Sequence, residues 1–168
     1  MPGELTATLL GIGLRPSRPS IPGLAGRNAR VLPVPEIDFS TLVCVLGREM
    51  SLQNATRLVE NEAKRLTRSA VALCVFFDWT QRHAWTLQGH QLGEVVNEII
   101  AEVAGSGRAA TSNHVIIEPV GRVPTRSVLL TRRDDAPYTR EDYLGIATLA
   151  RSIDGPFDRL LRASTGRP

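Results

Sequence analysis

The sequence predicts an α+β domain, an antiparallel sheet with helices on both faces, preceded by an extended arm. Three observations lead there. The chain has 168 residues, 42% of them hydrophobic and 22% charged, which is one domain with enough apolar material for a core. From residue 37 onward, runs with helical spacing alternate with runs that read as strands. Residues 1 to 36 lack both patterns: they hold six of the 11 prolines and five of the 14 glycines. Such a segment cannot build a core of its own.

Phe39, Leu42, Val43, Leu46 and Met50 recur at helical spacing behind Asp38, a residue suited to cap a helix, and Gly47 lies near the expected end. A second helix is expected after Ser51. Its buried stripe would be Leu52, Ala55, Leu58, Val59, Ala63 and Leu66, with Arg57, Glu60, Glu62, Lys64 and Arg65 in solvent. The run from Ala70 to Phe77 is apolar on both faces, as a central strand covered on both sides would be. Arg82 to Gln88 can pair back on it through a turn at Asp78 to Gln81.

Leu92, Val95, Val96, Ile99, Ile100 and Val103 mark an amphipathic helix that Gly105-Ser-Gly107 stops. Strands follow at His114 to Pro119 and Ser127 to Arg133, joined by a turn through Gly121 and Pro124. The last helix begins at Thr139, with Asp142 placed to complete a capping box. Its stripe is Tyr143, Ile146, Ala147, Ala150, Ile153, Phe157, Leu160 and Leu161. Asp154-Gly-Pro156 lies inside it. Proline cannot donate to the helix ladder, so a kink or restart is expected there.

Charge and cysteine content narrow the function classes. Lys64 is the only lysine, so the net charge of +3 is nearly all guanidinium. The arm's four arginines against Glu4 and Glu36 give it +2, leaving +1 for the rest. Cys44 and Cys74 form neither a disulfide framework nor a zinc-ligand spacing, and free thiols fit a reducing cytoplasm. Leu5 to Leu14 is apolar, but too short to span a bilayer and not preceded by positive charge, so no membrane anchor or secretory signal is expected.

The element order, with specific residues, resembles the GAF domain family from about residue 38 to 163. The residues that carry the resemblance are Ile116-Ile-Glu-Pro-Val-Gly121, Ser127-Val-Leu-Leu-Thr-Arg-Arg133, Ala136-Pro-Tyr-Thr-Arg-Glu-Asp-Tyr-Leu144 and Leu149-Ala-Arg-Ser-Ile153. Gly105-Ser-Gly107 is similar to the small-residue break that ends the family's pocket helix. PAS-like and roadblock-like domains are the nearest rival folds. The resemblance implies that the first and last helices pack on one sheet face and often form a dimer interface, while the other face encloses a small-molecule pocket.

Known chemistries of that family find little support in these residues. Tyr138, Glu141 and Asp142 match half of the cyclic-nucleotide signature but have no Asn-Lys partner. Neither cysteine is placed to attach a bilin, and the pocket cysteines needed to reduce methionine sulfoxide are missing. A haem-binding variant would need an axial histidine such as His90 or His114, and the chain's three histidines show no partner pattern. Gly11-x-Gly13 follows no strand and lacks the remaining phosphate-loop residues. No nucleophile-elbow spacing is present, and Asp134-Asp135 reads as a solvated turn. The residues identify no cofactor, and an enzyme is not expected.

Three candidate sites remain. On the family reading, a ligand pocket would be walled by Trp85, His90, Val96, Ile99, Ile100, Thr111, Asn113 and His114, the alternative being that these side chains fill their own core. An interface for a homodimer would use Phe39, Leu42, Val43 and Leu46 with Ile153, Phe157, Leu160 and Leu161, the alternative being packing within the chain. The arm would dock a protein partner through Leu10, Leu14, Arg15, Arg18, Ile21, Arg27 and Arg30, with a reach of roughly 30 to 35 Å, or serve only as a tail. No aromatic residue interleaves those arginines, so nucleic acid is disfavoured.

The expected function is therefore that of a cytoplasmic regulatory or sensory domain. It would bind a small ligand and act through protein contacts. The rival is a ligand-free adaptor or assembly subunit anchored by its arm. With no catalytic or DNA-binding domain expected on the chain, a signal would leave by protein contact.

Overall fold

A computed structural model describes residues 37–49 and 51–164. The expected arm, including all seven of its docking residues, lies outside the described residues. Five strands form a single antiparallel sheet in the order β2-β1-β5-β4-β3: β1 Val71–Asp78, β2 His83–Trp85, β3 Ala110–Thr111, β4 Val115–Val120 and β5 Ser127–Arg132. The helices are α1 Ser40–Arg48, α2 Leu52–Thr67, α3 Glu94–Ser106 and α4 Arg140–Ser164.

The period of two along β1 separates two cores. Ala72, Cys74 and Phe76 join Ile116, Val120 and Leu129 under α1, α2 and α4. Leu73, Val75 and Phe77 join Val115, Ile117, Val128 and Leu130 under α3. Helices thus cover both faces, as the unbroken apolar run of β1 implies.

Local signals explain most boundaries. Ser51 caps α2, its Oγ accepting from the Asn54 N–H at 3.4 Å. Gly107 ends α3 in the left-handed conformation, its N–H donating to the Val103 carbonyl at 2.9 Å. The capping box forms: the Thr139 N–H donates to Asp142 Oδ2 at 2.7 Å, and the Asp142 N–H donates to Thr139 Oγ1 at 3.3 Å.

Several expectations need correction. β2 spans three residues rather than the whole of Arg82 to Gln88, because Thr86 turns away: its Oγ1 accepts from the His90 N–H. α4 runs through Pro156 as one helix without a restart, held on both sides of the proline by buried Ile153, Phe157 and Leu160. On α2, Leu58 is exposed and Leu66 half-buried, while Thr56 and Thr67 are fully buried. Glu60 is buried rather than solvated, since its carboxylate bonds back to β1. β3 is too short to leave a periodic trace in the sequence.

Candidate functional site

The residues expected to wall a ligand pocket do not converge. Val96 and Ile100, 3% and 0% exposed, are embedded with Leu73, Val75 and Phe77 in the core beneath α3, and Ile99 packs against it. Trp85 lies on the opposite face, because it pairs with Phe76, and their rings stand 4.8 Å apart. Thr111 also pairs with a residue of that opposite face, Ile116.

Asn113 and His114 sit at the far end of the sheet, beside the end of β5. The Asn113 carbonyl accepts from the Tyr138 N–H at 2.7 Å, and His114 Nδ1 lies 2.9 Å from the Arg133 carbonyl. His90 is exposed in the loop after β2. The eight residues therefore occupy both faces and both ends of the sheet.

The expected interface stripe is core. Phe39, Leu46, Ile153, Phe157, Leu160 and Leu161 are buried within the chain, and Leu42 and Val43 pack half-buried against them. Packing of α1 and α2 against α4 over the sheet accounts for the long apolar stripe.

The end of the sheet where β1 meets β2 carries an open groove of about 380 Å³ that sequence reasoning did not single out. It is lined by Phe76, Phe77, Asp78, Trp79, Thr80, Trp85, Arg126 and Leu161. Trp79 is its fixed point. The indole Nε1–H donates to the Thr125 carbonyl at 2.9 Å, and the ring meets Phe77 edge-on at 4.8 Å. Trp79 and Trp85, the chain's only tryptophans, nonetheless remain 39% and 37% exposed.

The turn that presents Trp79 is set locally, since Asp78 Oδ1 accepts from the N–H groups of Thr80 and Gln81 at 2.8 and 3.1 Å. Asn97 of α3 holds β2: its Oδ1 accepts from the Ala84 N–H at 2.6 Å, and its Nδ2 donates to the Arg82 carbonyl at 3.1 Å. The only signal in sequence for this groove was two tryptophans six residues apart across a turn.

Away from the groove, the polar burials are structural. Arg133 donates to the Thr67 carbonyl at 2.9 Å, the Ala136 carbonyl at 3.0 Å, the Pro137 carbonyl, and Asp142 Oδ2 at 3.0 Å. Its guanidinium also stands 4.8 Å from the Tyr138 ring centre. Burial pushes the Tyr138 hydroxyl upward, against the opposing effect of its hydrogen bond with Ser69.

Burial also raises the Glu60 carboxyl, although the Cys74 N–H and Gln88 Nε2 bond to it at 2.9 and 3.0 Å. The Cys74 thiol is pushed well up by burial and by Glu60, which makes it unreactive. Burial takes Glu118 to about 7, with Arg151 pulling the other way. Among the described residues there is no group of three or more His, Cys, Asp or Glu that could hold a metal ion. No helix among them is long and apolar enough to cross a membrane.

No family model matches the sequence, and no curated protein matches it. The structure is similar to the GAF domain of an Acinetobacter phosphoenolpyruvate-protein phosphotransferase, with a TM-score of 0.55 and 11% sequence identity over 76% of this chain and 93% of that one. Five antiparallel strands with helices on both faces, together with this similarity, give the chain a GAF-like fold.

Proposed function

We propose that this chain is a non-catalytic regulatory or adaptor domain that acts through protein contact, and that the groove beside Trp79 and Trp85 is where contact is made. The observation that carries the reading is the close filling of the core beneath α3. Val96 and Ile100, expected to face a ligand, are covered by the sheet's own Leu73, Val75 and Phe77. Burial of this kind stabilises each such side chain by about 1.5–3 kcal/mol, and opening a ligand cavity there would forfeit part of it.

A second reading places a small ligand in the groove itself. Its volume of about 380 Å³ favours that reading, since ligand sites commonly measure about 300–1,000 Å³.

Native mass spectrometry of the chain purified from its own host separates the two. Protein contact predicts the polypeptide mass, alone or with a protein bound, and no small molecule. A small molecule bound at one per chain would contradict it.

A further inference from the structure

We infer that the groove and the arginines around it form a docking surface for a short acidic peptide with an aromatic or aliphatic anchor. The inference rests on the protein-contact reading and names the chemistry of the partner. Three segments are joined at this end of the domain: the 78–82 turn, the end of α3 through residue 108, and the 121–126 loop.

Trp79 links all three. It donates to the Thr125 carbonyl, and its ring lies so close to Gly105 that a Cβ there would come within 3.3 Å. The Thr125 N–H donates to the Ala104 carbonyl at 2.9 Å, and the Phe77 N–H donates to the Arg126 carbonyl at 2.8 Å. Gly107 is covered by Val123, which would stand 2.6 Å from a Cβ. The surface is therefore preorganised, and a ligand would not have to order it.

Its charge is mainly positive. The three segments carry four exposed arginines, Arg82, Arg108, Arg122 and Arg126, against two carboxylates: Asp78, which already accepts two backbone N–H groups, and Asp154 of α4, which lies against Gly121. Among them stand the half-exposed faces of Trp79 and Trp85 and the 51% exposed Val123. Aromatic and arginine side chains around a recess are the composition of interface hot spots. The positive charge calls for carboxylates on the partner.

A long polyanion fits less well. Glu98 and Glu102 on α3 and Asp158 on α4 are exposed on the helices that lead into this end. The groove also has room for one or two side chains rather than a stacked strand of bases.

The test selects a random dodecapeptide display library on the 168-residue chain. The expected winners carry Trp, Phe or Leu among Asp and Glu. Synthesised, they should change the tryptophan fluorescence of the chain and lose at least tenfold in affinity on R122E/R126E. That variant alters two exposed side chains and should keep the parent's melting midpoint.

Winners without acidic residues would overturn the proposal. So would acidic winners that bind R122E/R126E as well as the parent; a domain acting through protein contact would then stand, and its placement at this groove would fall. A single-stranded 20-mer oligonucleotide that binds more tightly than the best peptide, and is lost on R122E/R126E, would overturn it in favour of nucleic acid.

Discussion

Glu60 of α2 accepts the backbone N–H of Cys74 at 2.9 Å, within the stretch of β1 that β2 leaves uncovered. β2 pairs with β1 only from Phe76 to Asp78, and an unpaired strand edge invites pairing with another chain. Asn97 binds the backbone at β2 in the same way, through Ala84 and Arg82. One edge group of β1 and two at β2 are thereby taken by side chains and are not offered to an added strand.

Replacing Glu60 separates its two roles. Glu60→Ala leaves the buried Cys74 N–H without a partner and should cost about 1–3 kcal/mol. Glu60→Gln keeps an acceptor and removes a carboxyl that burial raises, so above pH 7 it should be at least as stable as the parent. Urea unfolding at pH 8 checks both, and a Glu60→Gln loss equal to that of Glu60→Ala would contradict the capping account.

Glu118 should make stability fall with rising pH. Its carboxyl titrates at about 7 in the folded chain against an ordinary value of 4.5, so between these values the folded state holds the proton that the unfolded state has released. The associated stability is complete below pH 4.5 and is lost as pH rises through 7, by an amount on the order of 3 kcal/mol. Glu118→Gln should flatten the melting midpoint across pH 5 to 8. An unchanged slope would show that Glu118 is not its source.

Arg133→Ala should destabilise by about 3–5 kcal/mol, because it leaves the half-buried Asp142 carboxylate without its ion-pair partner, held only by Thr139, and takes the donor from three backbone carbonyls at once. Arg133→Lys should recover part of the loss but not the fork geometry. Chemical denaturation of the two variants side by side reads the difference.

Gly121 has φ +93°, and a Cβ there would lie 2.6 Å from Asp154 Oδ1. Gly121→Ala should cost about 1–3 kcal/mol. Asp154→Ala in the same chain should restore the steric share of that loss and leave the backbone share, which a double-mutant cycle separates.

Much of this fold was legible because its signals are local. The Thr139–Asp142 capping box, the Gly107 stop and the two-faced apolar run of β1 each act within a few residues, and each formed where the sequence placed it.

The candidate site was less legible, for a physical reason. Trp85 and Val96 both read as pocket-facing, yet the pairing of Trp85 with Phe76 sets it on the face opposite Val96, and register is not a local property. Glu60 looked like a solvated helix charge, because nothing near it in sequence announces the unpaired N–H of Cys74. The apolar surplus of α1 and α4 suggested a second subunit. Stacking of α1, α2 and α4 over one sheet face absorbs it within the chain.

The most direct test of the central claim is a two-dimensional nitrogen–proton NMR titration of the full chain with the best acidic peptide from the display selection. Trp79 and Trp85 supply the only two indole N–H signals. Both should shift in proportion to peptide occupancy, with the 121–126 backbone amides, while the amides of Val96 and Ile100 stay in place. Unmoved indole signals, or shifts centred on Val96 and Ile100 beneath α3, would contradict the account.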